Sequence, residues 1–335
     1  MDIYVGLFSV CVCVRITVKR LDVSMALGGS YMENKVKHQH YIPQMYLRRF
    51  CDQNNLLYAY DTENSRGIRN LPRVFAHEKY FYDIEATDMR EFLKEYEPLI
   101  DPTKLDDLSG EQVVEHMLSR IEGEANTILD GLDSGQLSLS DEHVHTVLII
   151  FLRTLASRTV AYRNQFEKIH SQTLPFLKSV KLPLGAELTE YCSFTSEEYA
   201  KRAQVEQLLS LGDCLKMAYM LEENYNWYMG VVDSEADLII SDNPAQMVSL
   251  GFNDICFPIS PRKAVIMRVK KEGASLISND MPVNGVIHLG SQSVLMYNQL
   301  QRAQAKRFLF GSEQSIDITN KLNIIARKLS EKESQ

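Results

Sequence analysis

Two arginines follow a stretch that a helix would bury. Ile149-Ile150-Phe151-Leu152 is apolar on every side, Arg153 comes next, and Arg158 lies five residues on. A buried guanidinium needs a carboxylate partner, because a stranded charge in the interior is costly. If the spans 109–131 and 141–170 form an antiparallel hairpin centred near residue 136, Glu122 and Glu124 fall within a turn of Arg153. Such a pair is either a structural ion pair or a site, in which the arginine holds an acid–base carboxylate or an incoming anion.

Other spacings support less. His38-x-His40 puts two imidazoles on one face of an extended segment, a metal pair without a third ligand fixed by spacing. Glu142-x-x-His145 and Glu167-x-x-His170 both match the di-iron spacing. On one helix they stand about 37 Å apart, too far to share a metal pair. Asp242 leaves the apolar run DLII (237–240), where nucleases of the restriction type carry an aspartate, yet no E-x-K follows it in the chain. Walker A, G-x-G-x-x-G and G-x-S-x-G patterns do not occur, so nucleotide-loop, dinucleotide and α/β-hydrolase chemistry lack their anchors. No cofactor follows from these residues.

The elements that must position them read as α+β. Pro43 suits the first turn of a short helix with Tyr46, Leu47 and Phe50 on its apolar face. LLYAYD (56–61) alternates like a strand, TENSRG turns, and YFYD (80–83) reads as another strand. Helices are expected over 109–131 and 141–170, the latter capped by Ser138-x-x-Asp141, and from Thr195-x-x-Glu198 to about 224. Strands follow at 227–232, 237–240 and 264–269, then a helix at 291–309 closing at Gly311, and a polar last helix. The expected architecture is a central helical bundle with a mixed or antiparallel sheet built from N- and C-terminal strands.

Composition narrows the class. The chain has 335 residues, 45% apolar and 24% charged, with a formal net charge of −8; this is ordinary globular usage, and the acidity argues against a generic nucleic-acid coat. Six cysteines without any C-x-x-C make no disulfide framework; reduced thiols fit the cytoplasm. Charge is segregated: residues 83–142 carry 17 acidic and 4 basic side chains, whereas 262–307 carry 8 basic and 2 acidic. Such blocks are solvated faces or focus an anionic ligand. Residues 3–14 form an apolar run shorter than the ~20 residues that span a membrane, so no membrane association is expected. Asp2 stands where a signal peptide would carry positive charge. The expected boundaries are 1–31 as a non-native or disordered extension, with Met32 as the better start, and 32–335 as one domain.

HQHYIPQMYLRRF (38–50) carries a resemblance. With Lys37, His40, Tyr41, Pro43, Tyr46, Leu47 and Phe50 in place, it resembles the opening motif of the bacterial and archaeal family known as domain of unknown function 4238. LYAYD (57–61), EKYFYD (78–83), RTLASR (153–158), ISDNPAQM (240–247), FPISPRK (257–263) and AKRFLFG (305–311) follow in the family's order. The resemblance implies no activity. It directs attention to His40, Arg49, Glu122, Arg153, Asp242 and Asn243. By their chemistry, His40 is a general acid or base at neutral pH, and Glu122 and Asp242 are the accompanying acids. Arg49 and Arg153 are phosphate clamps, and Asn243 orients substrate. The expectation is a hydrolase of an anionic substrate, a phosphodiester in nucleic acid or a nucleotide. The alternative is a non-catalytic binding or regulatory module in which the same residues are structural, Asn-Pro being simply a turn.

Overall fold

The computed structural model describes residues 36–85, 112–180, 198–245, 254–270, 282–283 and 285–333. The expected extension 1–31 and the cap at Thr195 lie outside the described residues. Helices, antiparallel strands and mixed strands share the chain, so the fold is α+β. The chain divides into two compact units. One comprises Met1–Tyr41, Glu78–Arg120 and Ser157–Leu215; the other comprises Ile42–His77, Ile121–Ala156 and Lys216–Gln335.

In the first unit, β1 (His38–His40) pairs with β4 (His77–Lys79). The expected strand at 80–83 is instead the turn that follows β4. The first half of α2 (Val113–Ser134), α4 (Val160–Ser179) and α5 (Tyr199–Leu209) supply the helices. The helix expected over 141–170 is two, α3 (Glu142–Ser157) and α4, separated at Arg158 and Thr159. Thr159 causes the break: its backbone is extended, and its hydroxyl accepts the Tyr162 N–H at 3.2 Å as the cap of α4. The carbonyls freed at the break are taken by buried Gln204, whose amide donates to Ser157 O at 2.9 Å and Thr159 O at 3.0 Å.

The second unit holds both larger sheets. β2 (Leu57–Asp61) and β3 (Arg66–Asn70) join β6 (Ile240–Ser241) and β11 (Phe308–Phe310) in an antiparallel sheet of order β3-β2-β11-β6. Strands from the two ends of the chain thus share one sheet, as the alternation of LLYAYD and the DLII run suggested. The other sheet has the order β7-β8-β5-β10-β9, from β7 (Asp254–Ser260), β8 (Lys263–Val269), β5 (Tyr225–Val232), β10 (Val286–Leu289) and β9 (Pro282–Val283). β10 runs parallel to β5, and the other pairings are antiparallel.

Around these sheets lie α1 (Gln44–Arg48), α3, the second half of α2, the end of α6 (Leu211–Asn224), α7 (Ser291–Gln304) and α8 (Glu313–Glu333). Tyr46 from α1 is fully buried and stacks on Phe257 with centroids 5.3 Å apart, and Phe151 meets both rings edge-on. Its hydroxyl still finds a partner, Pro258 O, at 2.7 Å. Each such ring contributes about 1.5–3 kcal/mol by burial, which is why the apolar positions of HYIPQMYLRRF pack as a helix start. α2 stops at Gly135, whose φ of +77° lets the chain turn back onto Gly131 O. Asp141, next to the first helical residue, caps α3 through its carboxylate to the His143 N–H at 2.8 Å. Ser138 closes the preceding turn instead of the expected capping box. α7 ends at Gln304, earlier than the periodicity suggested, because residues 308–310 pair as a strand. No single helix among the described residues is long and apolar enough to cross a membrane.

Candidate functional site

Of the residues singled out in the sequence, Asp242, Asn243, Arg49 and His40 fall in three polar knots. The first is built where the chain leaves β6. Asp242 is 4% exposed, and its carboxylate accepts three consecutive main-chain N–H groups: Lys306 at 2.7 Å, Arg307 at 2.8 Å and Phe308 at 3.1 Å. These amides lie between the end of α7 at Gln304 and the start of β11 at Phe308. Burial pushes the Asp242 carboxyl above its ordinary value, and the three bonds pull it back. Asn243, 2% exposed, donates to Gln304 O at 3.4 Å, and its own N–H reaches Ser241 Oγ at 3.3 Å. Gln301 completes the knot, accepting from Ser241 N and Oγ at 2.9 Å each and donating to Pro244 O at 3.1 Å. ISDNP and AKRFLF are therefore two halves of one main-chain junction.

The second knot surrounds Arg49, at the end of α1. Its side chain is 8% exposed and is held by Ile259 O at 2.5 Å, Asp130 Oδ1 at 2.5 Å and Leu129 O at 3.0 Å, with Asp133 at 3.5 Å. Lys263 Nζ takes the Asp133 carbonyl, and Ser260 Oγ donates to Asp133 Oδ1 at 3.1 Å. The last turn of α2 contains no basic residue; Lys263 binds one of its terminal carbonyls, that of Asp133, and Arg49 places a second positive charge beside Asp130 and Asp133 near this end of the helix. Two cations and two carboxylates balance here.

The third knot lies in the first unit. Gln39 is fully buried, accepts the Tyr82 N–H at 2.6 Å and donates to Asp83 Oδ1 at 2.6 Å. Arg158, 1% exposed, donates to the His40 carbonyl at 2.5 Å and to the Tyr82 hydroxyl at 3.3 Å, while that hydroxyl donates to Arg158 O at 3.0 Å. Burial pushes the Tyr82 hydroxyl up to about 12, so it keeps its proton and can donate. His40 enters this knot through its carbonyl. Its imidazole is half-buried and that of His38 is exposed. Among the described residues no group of three or more His, Cys, Asp and Glu side chains could hold a metal ion.

His40 belongs to one unit, and Arg49, Glu122, Arg153, Asp242 and Asn243 to the other. Arg153 is 8% exposed, as the apolar IIFL stretch demanded; Glu122 is half-buried and Glu124 exposed. Sequence reasoning missed Asp130, Asp133, Ser260 and Lys263, which come together only through tertiary structure. It also missed Asp61, fully buried, which accepts from the Glu63 and Asn64 N–H groups at 3.1 Å each and pairs with Arg307 at 2.9 Å. Burial alone would raise the Asp61 carboxyl, but Arg307 and Asn64 outweigh it and hold it well below the usual carboxylate range. The signal available was Asp61-Thr62-Glu63-Asn64, a turn in which an aspartate bonds its own main chain.

Each knot joins motifs far apart in the chain, and their order is that of a single family. No curated protein and no solved structure matches the chain. The model of one family, described as "Protein of unknown function (DUF4238)", matches residues 38–315. This chain belongs to that family.

Proposed function

We propose that the protein is a non-catalytic binding or regulatory module whose family motifs act as internal clamps. The observation that carries this reading is Asp242. A hydrolase of phosphodiesters would use it as an acid or a metal ligand, but both its oxygens already accept main-chain N–H groups in a nearly closed environment. Arg49 supports the same reading, since a guanidinium committed to two carbonyls and two aspartates has little left for a phosphate. Nucleic acid or a nucleotide remains the proposed class of partner, on the strength of the basic segments.

The test is direct. Full-length protein is assayed with single- and double-stranded DNA, RNA and nucleoside triphosphates, with magnesium, with manganese and with chelator. No turnover above background is expected. Turnover that Asp242→Asn abolishes while leaving the urea midpoint unchanged would establish the hydrolase instead.

A further inference from the structure

Outside the three knots, the second unit brings together an imidazole, a carboxylate and the chain's single tryptophan. His145 lies at the start of α3, Glu222 in the last turn of α6, and Trp227 in β5. His145 Nδ1 stands 2.9 Å from Glu222 Oε1, and the imidazole stacks on Trp227 with ring centroids 4.5 Å apart at 27°. The two side chains are 22% and 45% exposed, so water and protons reach both. Lys270, the residue after β8, is fastened to the Glu222 carbonyl at 2.7 Å. Glu222 from α6 and Trp227 from β5 meet the imidazole directly; Lys270, beyond β8, acts on Glu222, and Glu142 lies one turn earlier on α3 itself.

The bond to Glu222 fixes the roles of the ring nitrogens. In the neutral ring the Nδ1–H donates to the carboxylate; in the protonated ring the same bond becomes charge-assisted and shorter-range electrostatics add to it. Histidine is the side chain whose charge changes near neutral pH, and His145 joins the first turns of α3 to the end of α6 through Glu222.

We propose that His145 and Glu222 form a pH-operated latch that fastens the start of α3 to the end of α6 when the imidazole is protonated and loosens as it deprotonates. The proposal rests on this geometry and not on the proposed function; hydrolysis assays leave it untouched.

Trp227 makes the latch readable, because it is the only tryptophan in the chain and a protonated imidazole in contact with indole quenches its emission. Fluorescence of the full-length protein is recorded from acid to alkaline pH, with circular dichroism to confirm folding, and hydrogen exchange of the 142–146 amides is measured on either side of the transition after correction for intrinsic rates. The wild type is expected to brighten through one transition as the pH rises, and exchange at 142–146 to accelerate above it. Glu222→Gln, which removes the carboxylate that the imidazole holds at 2.9 Å, is expected to abolish the change in exchange at 142–146 across the transition. His145→Gln should give flat emission and pH-independent corrected exchange. A flat wild type, a transition that survives in His145→Gln, pH-dependent exchange that persists in Glu222→Gln, or wild-type exchange that ignores the transition would each overturn the latch.

Discussion

Asp242 and Phe308 exchange two hydrogen bonds: the Asp242 N–H donates to the Phe308 carbonyl at 3.0 Å, and the Phe308 N–H donates to Asp242 Oδ2 at 3.1 Å. The exchange extends the β6–β11 pairing, Leu309 opposite Ser241 and Phe310 opposite Ile240, by one further residue pair. It substitutes a side-chain acceptor where the strand's own carbonyls run out. The carboxylate then serves Lys306 and Arg307 as well, so one side chain satisfies three amides that α7 and β11 leave between them.

Asp242→Ala should therefore destabilise the protein by about 3 kcal/mol or more, since each buried N–H left without an acceptor costs ~1–3 kcal/mol. Asp242→Asn keeps one acceptor oxygen but turns an N–H₂ toward donors, and should lie between wild type and alanine. Urea denaturation reads both. An unchanged midpoint in Asp242→Ala would remove the clamp from consideration.

How far these arrangements were legible differs by residue. The β2 alternation, the helix start at Pro43 and the burial of Arg153 follow from local pattern, because period and apolar content depend on neighbours in the chain. The break at Thr159 did not show, since the periodicity runs through it; a distant glutamine, Gln204, makes the break affordable by taking the freed carbonyls. Arg49 was legible as a residue to examine but not as a helix-terminus clamp. Its partners Asp130, Asp133 and Ile259 are separated from it by dozens to hundreds of residues, and no spacing rule connects them.

Asp61 gives a pH prediction. Its folded carboxyl is held below the ordinary range while the unfolded one is not, so the unfolded chain takes up the proton first. The stability this residue contributes is present above the unfolded value of about 3.9 and is lost as pH falls toward the folded value. Urea midpoints measured between neutral and strongly acid pH should fall less steeply below about pH 4 in Asp61→Asn than in wild type. Arg307→Met, which leaves the buried carboxylate with only its turn partners, should cost about 1.5–3 kcal/mol at neutral pH. Parallel acid limbs for wild type and Asp61→Asn would contradict the assignment.

Gly311 closes the AKRFLFG motif with φ +150°, and a Cβ there would come within 2.9 Å of Ile239 Cγ2 and 3.4 Å of its Cα. Ile239 is fully buried among Leu309 and Ile316, so it has nowhere to move. Gly311→Ala combines an unfavourable backbone conformation with overpacking, each worth about 1–3 kcal/mol. A loss of at least ~2 kcal/mol in thermal or urea unfolding is expected. Tolerance of alanine would mean that the turn after β11 relaxes freely.

The remaining prediction concerns Glu122 and Arg153. With α2 ending at Ser134 and α3 beginning at Glu142, an antiparallel hairpin centred on Ser138 would set Arg153 opposite position 123, next to Glu122. Arg153 is 8% exposed and Glu122 half-buried, whereas the other nearby acid, Glu124, is exposed; burial thus favours Glu122 as the partner. A fully buried pair loses about 3–5 kcal/mol when one member is removed and the other charge is stranded, and a surface pair under about 1 kcal/mol. With one member buried and one half-buried, Glu122→Gln and Arg153→Met should each cost about 1–3 kcal/mol. Arg153→Met should be the milder per atom lost, because methionine refills the apolar stem's space. The double mutant should recover part of the sum, since neither charge is then left alone; the recovery is the coupling energy of the cycle. Strict additivity would show that the two charges do not meet, and that Arg153 is held by a different acceptor on the buried side of α3.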